Sequence, residues 1–147
     1  MIRKMLAAAT AGFLASVIGI AAPASAVDLE WNIASGDPAP PIRNACAYWP
    51  GTGQYPGYGC FTADGDIFTV FDGASDGHSI GLYWRNYAAD GSVYRRGACV
   101  ETRGVGTWGE CNKNFIENTR LKLMVCTVES ATKSQYECGN WTDYLGT

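Results

Sequence analysis

The stretch SIGLYWRNY, residues 79–87, decides how the rest of the chain is read. Along an extended backbone Ile80, Leu82 and Trp84 fall on one side and Tyr83, Arg85 and Tyr87 on the other. That alternation is the period-two pattern of a half-buried strand. It places Trp84 in the core and turns Arg85 and Tyr87 outward, where they are candidate ligand contacts. Upstream, Ile67 to Phe71 is dense in β-branched and aromatic residues between Asp64-Gly65 and Asp72-Gly73, and reads as a second strand. The DGASDG between the two reads as a hairpin turn. Downstream, Ala88-Ala89-Asp90-Gly91 turns the chain into two short strands, Ser92 to Arg95 and Ala98 to Arg103, ahead of the corner Gly104-Val105-Gly106. LKLMVCTVE, residues 121–129, is the clearest long strand, and Gln135 to Cys138 returns antiparallel after a turn at Ala131 to Ser134. No window carries a sustained helical stripe. Roughly six to eight short strands with regularly spaced turns predict an all-β fold, a single antiparallel β-sandwich or small barrel.

The N-terminus has a different character. Arg3 and Lys4 precede an apolar run from Met5 to Ile20, and Ala24-Ser25-Ala26 supplies small residues for cleavage, so residues 1–26 read as a signal peptide. The run is short and is followed by Pro23 rather than by basic residues, which does not suit a membrane anchor. Residues 27–45, with Ser35-Gly36-Asp37-Pro38 and Pro40-Pro41, read as an extended arm that adds little core. Residues 46–147 are then the β domain, secreted and free of the membrane after cleavage. Losing Arg3 and Lys4 takes the formal net charge from −3 to −5. A chain that acidic does not supply the basic face that nucleic acid requires. The one local basic cluster, Tyr94-Arg95-Arg96 with Arg103, reads as a solvated strand edge.

All six cysteines lie beyond residue 26, where an oxidising compartment lets disulfides persist. Fifteen connectivities are formally open. Pairing between sequence neighbours is the expectation: Cys46 with Cys60, Cys99 with Cys111, Cys126 with Cys138. Each closed loop then contributes about 3 kcal/mol in the chain-entropy picture. Zinc finds no Cys-x-x-Cys pair and only one histidine, so neither a metal nor a cofactor is expected.

Chemistry-bearing patterns are few. His78 is the only histidine, at a turn beside Gly77, with no nucleophile-elbow pattern around it. Asp64, Asp66, Asp72 and Asp76 lie close together but miss the calcium-loop template, and each is near a glycine where Asp and Gly form turns. A glycosidase carboxylate pair is not visible in linear sequence. Asn140-Trp141-Thr142 fits a glycosylation acceptor. Seventeen aromatic residues follow residue 26. Trp108 and Trp141 are expected over neighbouring disulfides. Trp49, Tyr55 and Tyr58, in the Gly- and Pro-rich loop YWPGTGQYPGY between the first two cysteines, are expected at the surface as ligand contacts with Arg85 and Tyr87.

GDIFTVFD, Trp84-Arg85, Arg96-Gly97-Ala98-Cys99, Gly104-Val105-Gly106-Thr107-Trp108, Cys111-Asn112, residues 121–126 and Cys138-Gly139-Asn140-Trp141 together resemble a group of small secreted actinobacterial proteins. The resemblance spans roughly Gly65 to Trp141 and implies export and disulfides without pointing to an activity. Trp84-Arg85-Asn86-Tyr87 is also similar to the exposed Trp-Arg-Tyr of small secreted α-amylase inhibitors, with Asn86 inserted. The functions expected are, first, non-catalytic binding of an extracellular polysaccharide or protein. The alternatives are inhibition of an extracellular hydrolase, through the Tyr48 to Tyr58 loop or Arg85, and a small hydrolase using His78 with an acid such as Glu101.

Overall fold

The computed structural model describes residues 26–38, 45–51 and 57–147. The expected signal peptide, apart from Ala26, lies outside the described residues, and so does Tyr55. Strands β1 (Leu29–Ile33), β2 (Cys46–Tyr48), β3 (Tyr58–Thr62), β4 (Ile67–Asp72), β5 (Ser79–Tyr87), β6 (Val93–Glu101), β7 (Thr107–Asn112), β8 (Arg120–Glu129), β9 (Ser134–Cys138) and β10 (Leu145–Gly146) follow one another with no helix among the described residues. They form two sheets. The larger runs β1-β6-β5-β8-β10, with β9 also on β8, and the smaller runs β2-β3-β4-β7. Every pairing between these strands is antiparallel except that of β1 with β6. The fold is an all-β sandwich stapled by three disulfides, and no described helix is long and apolar enough to cross a membrane.

The core lies between the sheets and uses the side of β5 that its sequence announces. Ile80, Leu82 and Trp84 are sealed from solvent and meet Phe68 and Val70 of β4. The rings of Phe68 and Trp84 stack with centroids 5.7 Å apart. Opposite Leu82 the smaller sheet offers Gly59, where a Cβ would fall 2.8 Å from Leu82 side-chain carbons, so only glycine lets the layers approach this closely.

Two expectations about strand connection are corrected. DGASDG does not make a hairpin, because β4 pairs with β3 and β7 while β5 pairs with β6 and β8. The segment carries the chain from one sheet to the other. A hairpin would set the apolar faces of β4 and β5 side by side, whereas the crossover sets them face to face, where each buries the other. The Asp72 and Asp76 carboxylates accept the amides of Ala74 at 3.1 Å and His78 at 2.9 Å, which fixes the two bends. The second correction joins Ser92 to Arg95 and Ala98 to Arg103 into the single strand β6. Gly97 does not interrupt it. A Cβ there would lie 2.5 Å from both the Trp84 ring and the Glu30 carbonyl oxygen, so the glycine makes room for the core tryptophan.

The larger sheet buries much of its other face as well. Tyr83, Ala98, Val100, Cys126 and Val128 form a second apolar cluster, against which Trp31, Met124, Cys138 and Trp141 pack. This explains why residues 121–129 read as a nearly continuous apolar run: Leu121, Leu123 and Val125 face the core and Met124, Cys126 and Val128 the second cluster. The expected arm thus includes an edge strand. Trp31 of β1 packs edge-on to Tyr83 at 6.3 Å, and Glu30 holds Arg95 at 2.8 Å and Lys113 at 2.9 Å.

The disulfides pair as sequence neighbours. Cys46–Cys60 and Cys126–Cys138 join directly opposed residues of β2 with β3 and of β8 with β9. Cys99–Cys111 differs, because it ties β6 of the larger sheet to β7 of the smaller through the core.

Candidate functional site

The register of the larger sheet brings unlike parts of the sequence onto one outward surface. Arg85 of β5 is paired with Arg96 of β6 on one side and Lys122 of β8 on the other. These residues share a face, so three cations stand in one row across three strands. Like charges set directly opposite each other destabilise a sheet. Among the described residues none of the three is in an ion pair. Arg96 instead donates from Nε to the Val27 carbonyl oxygen at 2.6 Å.

Beside this row lies a groove of about 330 Å³, floored by Tyr83 and Met124 and walled by Trp141 and Gln135. Arg85 and Arg96 enter it from the sheet, and Lys133 reaches it from the turn between β8 and β9. Among the described residues no carboxylate lines it. Two of these cations are held against rings rather than acids. The Arg85 guanidinium lies 4.5 Å from the centre of the Trp141 ring and the Lys133 ammonium 5.8 Å from that of Trp31. Burial pushes the Tyr83 phenol above its usual range, with the Gln135 side chain acting the other way, so the hydroxyl stays protonated. Next along the face, Tyr144 meets Tyr87 edge-on at 5.2 Å and receives Arg120 and Lys122 at 4.5 and 4.6 Å. The whole surface combines rings with cations whose charge is not neutralised locally. Such a surface can hold an oxyanion through Arg forks and stack a ring or an apolar edge beside it.

Of the residues expected from sequence to contact a ligand, Arg85 and Tyr87 lie on this face. Trp49 and Tyr58 do not, and the expectation that they stand exposed is corrected. Trp49 belongs to the core between the sheets, its amide bonded to the Gly57 carbonyl oxygen at 2.9 Å. Tyr58 is buried on the outer side of the smaller sheet, in a row with Tyr48, Phe71 and Trp108 across β2, β3, β4 and β7. Trp108 is therefore not over the Cys99–Cys111 bridge. Trp108 and Cys111 are three apart on one strand, an odd separation that points them to opposite sides, and Trp108 packs on Phe71 at 4.4 Å. Trp141 does lie with Cys126 and Cys138 in the second cluster.

The basic cluster of the sequence is dispersed. Arg95 goes to Glu30, Arg103 to Glu101, and only Arg96 to the groove. Lys122, Lys133 and Trp141 were not foreseen as its companions, because only strand register and the β8–β9 turn bring them together.

Other chemistry-bearing residues are placed elsewhere. His78 is exposed on the crossover, 3.9 Å from Asp76 and edge-on to Tyr136 at 4.8 Å. Glu101 is sealed from solvent and accepts from the Arg103 amide, Nε and Nη2 at 2.8, 3.0 and 2.7 Å. Burial pushes the Glu101 carboxyl up, but those bonds outweigh it and hold the group below its usual range. Of the four clustered aspartates, Asp66 accepts the Phe115 amide, Asp72 is buried, and Asp76 caps the bend at His78. Among the described residues no three His, Cys, Asp or Glu side chains are grouped to hold a metal ion.

Comparison with known proteins finds no family model, no curated relative and no solved structure that matches the chain.

Proposed function

We propose that the protein is exported after removal of residues 1–26 and acts outside the cell as a non-catalytic binding module, with the groove over Tyr83 as its ligand site. Three disulfides in a small β domain are consistent with life in an oxidising compartment. The observation that carries the site is the Arg96–Arg85–Lys122 row beside a concave, ring-walled surface with no carboxylate in its lining. Like charges aligned across a sheet repel one another, which supports reading the row by what it holds. The groove lies at the small end of the usual range for ligand pockets, about 300 to 1,000 Å³, which suits one ring or one short group of a larger ligand.

The test is a binding panel of insoluble and soluble glycans, with bound residues mapped by amide and indole NMR shifts. Shifts gathered at Tyr83, Arg85, Met124 and the Trp141 indole, and loss of retention in an Arg85→Gln, Trp141→Ala double variant that remains folded, are the expected outcome. Binding that the double variant keeps in full would place the site elsewhere and defeat the reading.

A further inference from the structure

We infer that the ligand of this groove is a sugar chain bearing acid groups, carboxylate or ester sulfate, read by its charge and its rings. The inference rests on the groove being the ligand site and adds the chemistry of what enters it.

Charge gives the first argument. The chain beyond residue 26 carries more acidic than basic residues, yet the groove lining carries three cations and no acid. A locally positive basin on a negative molecule favours anions at close range and is not a by-product of overall composition. The donor set has the same sense. Arg85, Arg96 and Lys133 offer only donors, with the Gln135 amide beside them, and arginine forks match the two oxygens of a carboxylate or sulfate. Arg85 is already stacked on Trp141, which holds its fork in one plane before any ligand arrives.

Backbone pairing gives the second argument, and it separates a sugar from a peptide. The strands beneath the groove are paired on both sides: β6 by β1 and β5, β5 by β6 and β8. An extended peptide commonly gains affinity by adding a strand to an open edge; β5 and β6 under the groove offer none, and the open edges β1 and β9 meet it only through Leu29 and Gln135. Over β5 and β6 a ligand is held by side chains alone. A ligand with acid groups on rigid rings, meeting the groove cations and the ring of Trp141, loses less freedom than a flexible acidic peptide would.

Binding of the whole secreted-form chain to dextran, carboxymethyl-dextran, dextran sulfate and poly-L-glutamate tests this, because the three dextrans share one backbone and differ in charge. We expect both charged dextrans to bind at the groove residues and neutral dextran not to, with affinity falling as salt rises. The tighter of the two identifies the acid group. Arg85→Gln weakens binding about tenfold and leaves the thermal midpoint nearly unchanged, since relief of two like-charge contacts offsets the lost contact with Trp141. Equal binding of neutral dextran at the groove overturns the acidic-ligand inference and leaves the groove as the site. Tighter binding of poly-L-glutamate overturns it in favour of an acidic protein. Failure of both charged dextrans to bind overturns it, and charged dextrans that bind without shifting any groove residue overturn the site as well.

Discussion

Asp72 ends β4 with its side chain fully buried, where one oxygen accepts the Ala74 amide and the other, Oδ2, has no hydrogen-bond partner among the described residues. Burial, opposed by that bond and reinforced by the charges of Asp76 and Glu101, pushes its carboxyl up to about 6. The folded protein therefore holds this proton where the unfolded chain, with an ordinary aspartate, has released it. The associated stability is full below about pH 4 and is lost as pH rises through 6. Lowering pH from 7.5 to 5 should restore about 1 kcal/mol at this residue. Denaturant midpoints at the two pH values measure it: Asp72→Asn should remove that part of the gain, and an unchanged gain would show that another group is responsible. Glu101 shows the opposite outcome of burial, because Arg103 supplies three bonds where Asp72 has one. The Arg103 guanidinium also reaches the Trp108 carbonyl oxygen, so one exposed cation serves β6 and β7 together.

At the scale of strands, the close approach of the layers depends on small residues at chosen positions. Gly59→Ala sets a methyl group against Leu82 in a fully occupied core and should lower stability by about 2 kcal/mol, read as a drop in the thermal midpoint. A midpoint equal to that of the parent would mean that the sheets separate more readily than their packing implies. Much at this scale was legible in advance. Residues 79–87 form a strand with the buried side that their alternation gives, and residues 121–129 and 135–138 form β8 and β9 with small shifts at the ends. What local pattern does not contain is which strand lies beside which. DGASDG has the residues of a hairpin turn and serves equally well as a crossover, and Gly97 has the look of a break yet sits under the Trp84 ring. The groove shows the same limit. Alternation turned Arg85 outward, but its alignment with Arg96 and Lys122 is a property of register, and the burial of Trp49 and Tyr58 depends on tertiary neighbours that a Gly-rich loop does not announce.

Across the whole molecule, the three bridges close loops of nearly equal length, with separations of 14, 12 and 12 residues, so chain entropy alone gives each about the same worth. Their settings differ. Cys99 and Cys111 stand inside the core between the sheets, and replacing both by alanine removes a cross-link of about 3 kcal/mol and leaves a cavity as well. The Cys99→Ala, Cys111→Ala variant should therefore unfold at lower urea than the Cys46→Ala, Cys60→Ala variant. Equal midpoints would show that the two layers hold together without their tie. The parallel strand β1 has a consequence of another kind, in time. Glu30 precedes its partner Arg95 by 65 residues, so β1 can dock only once a loop of that length has closed and β6 is in place. Pairing at that separation is slow, and Trp31, which docks with β1 onto Tyr83, reports when it happens in a variant whose other tryptophans are replaced.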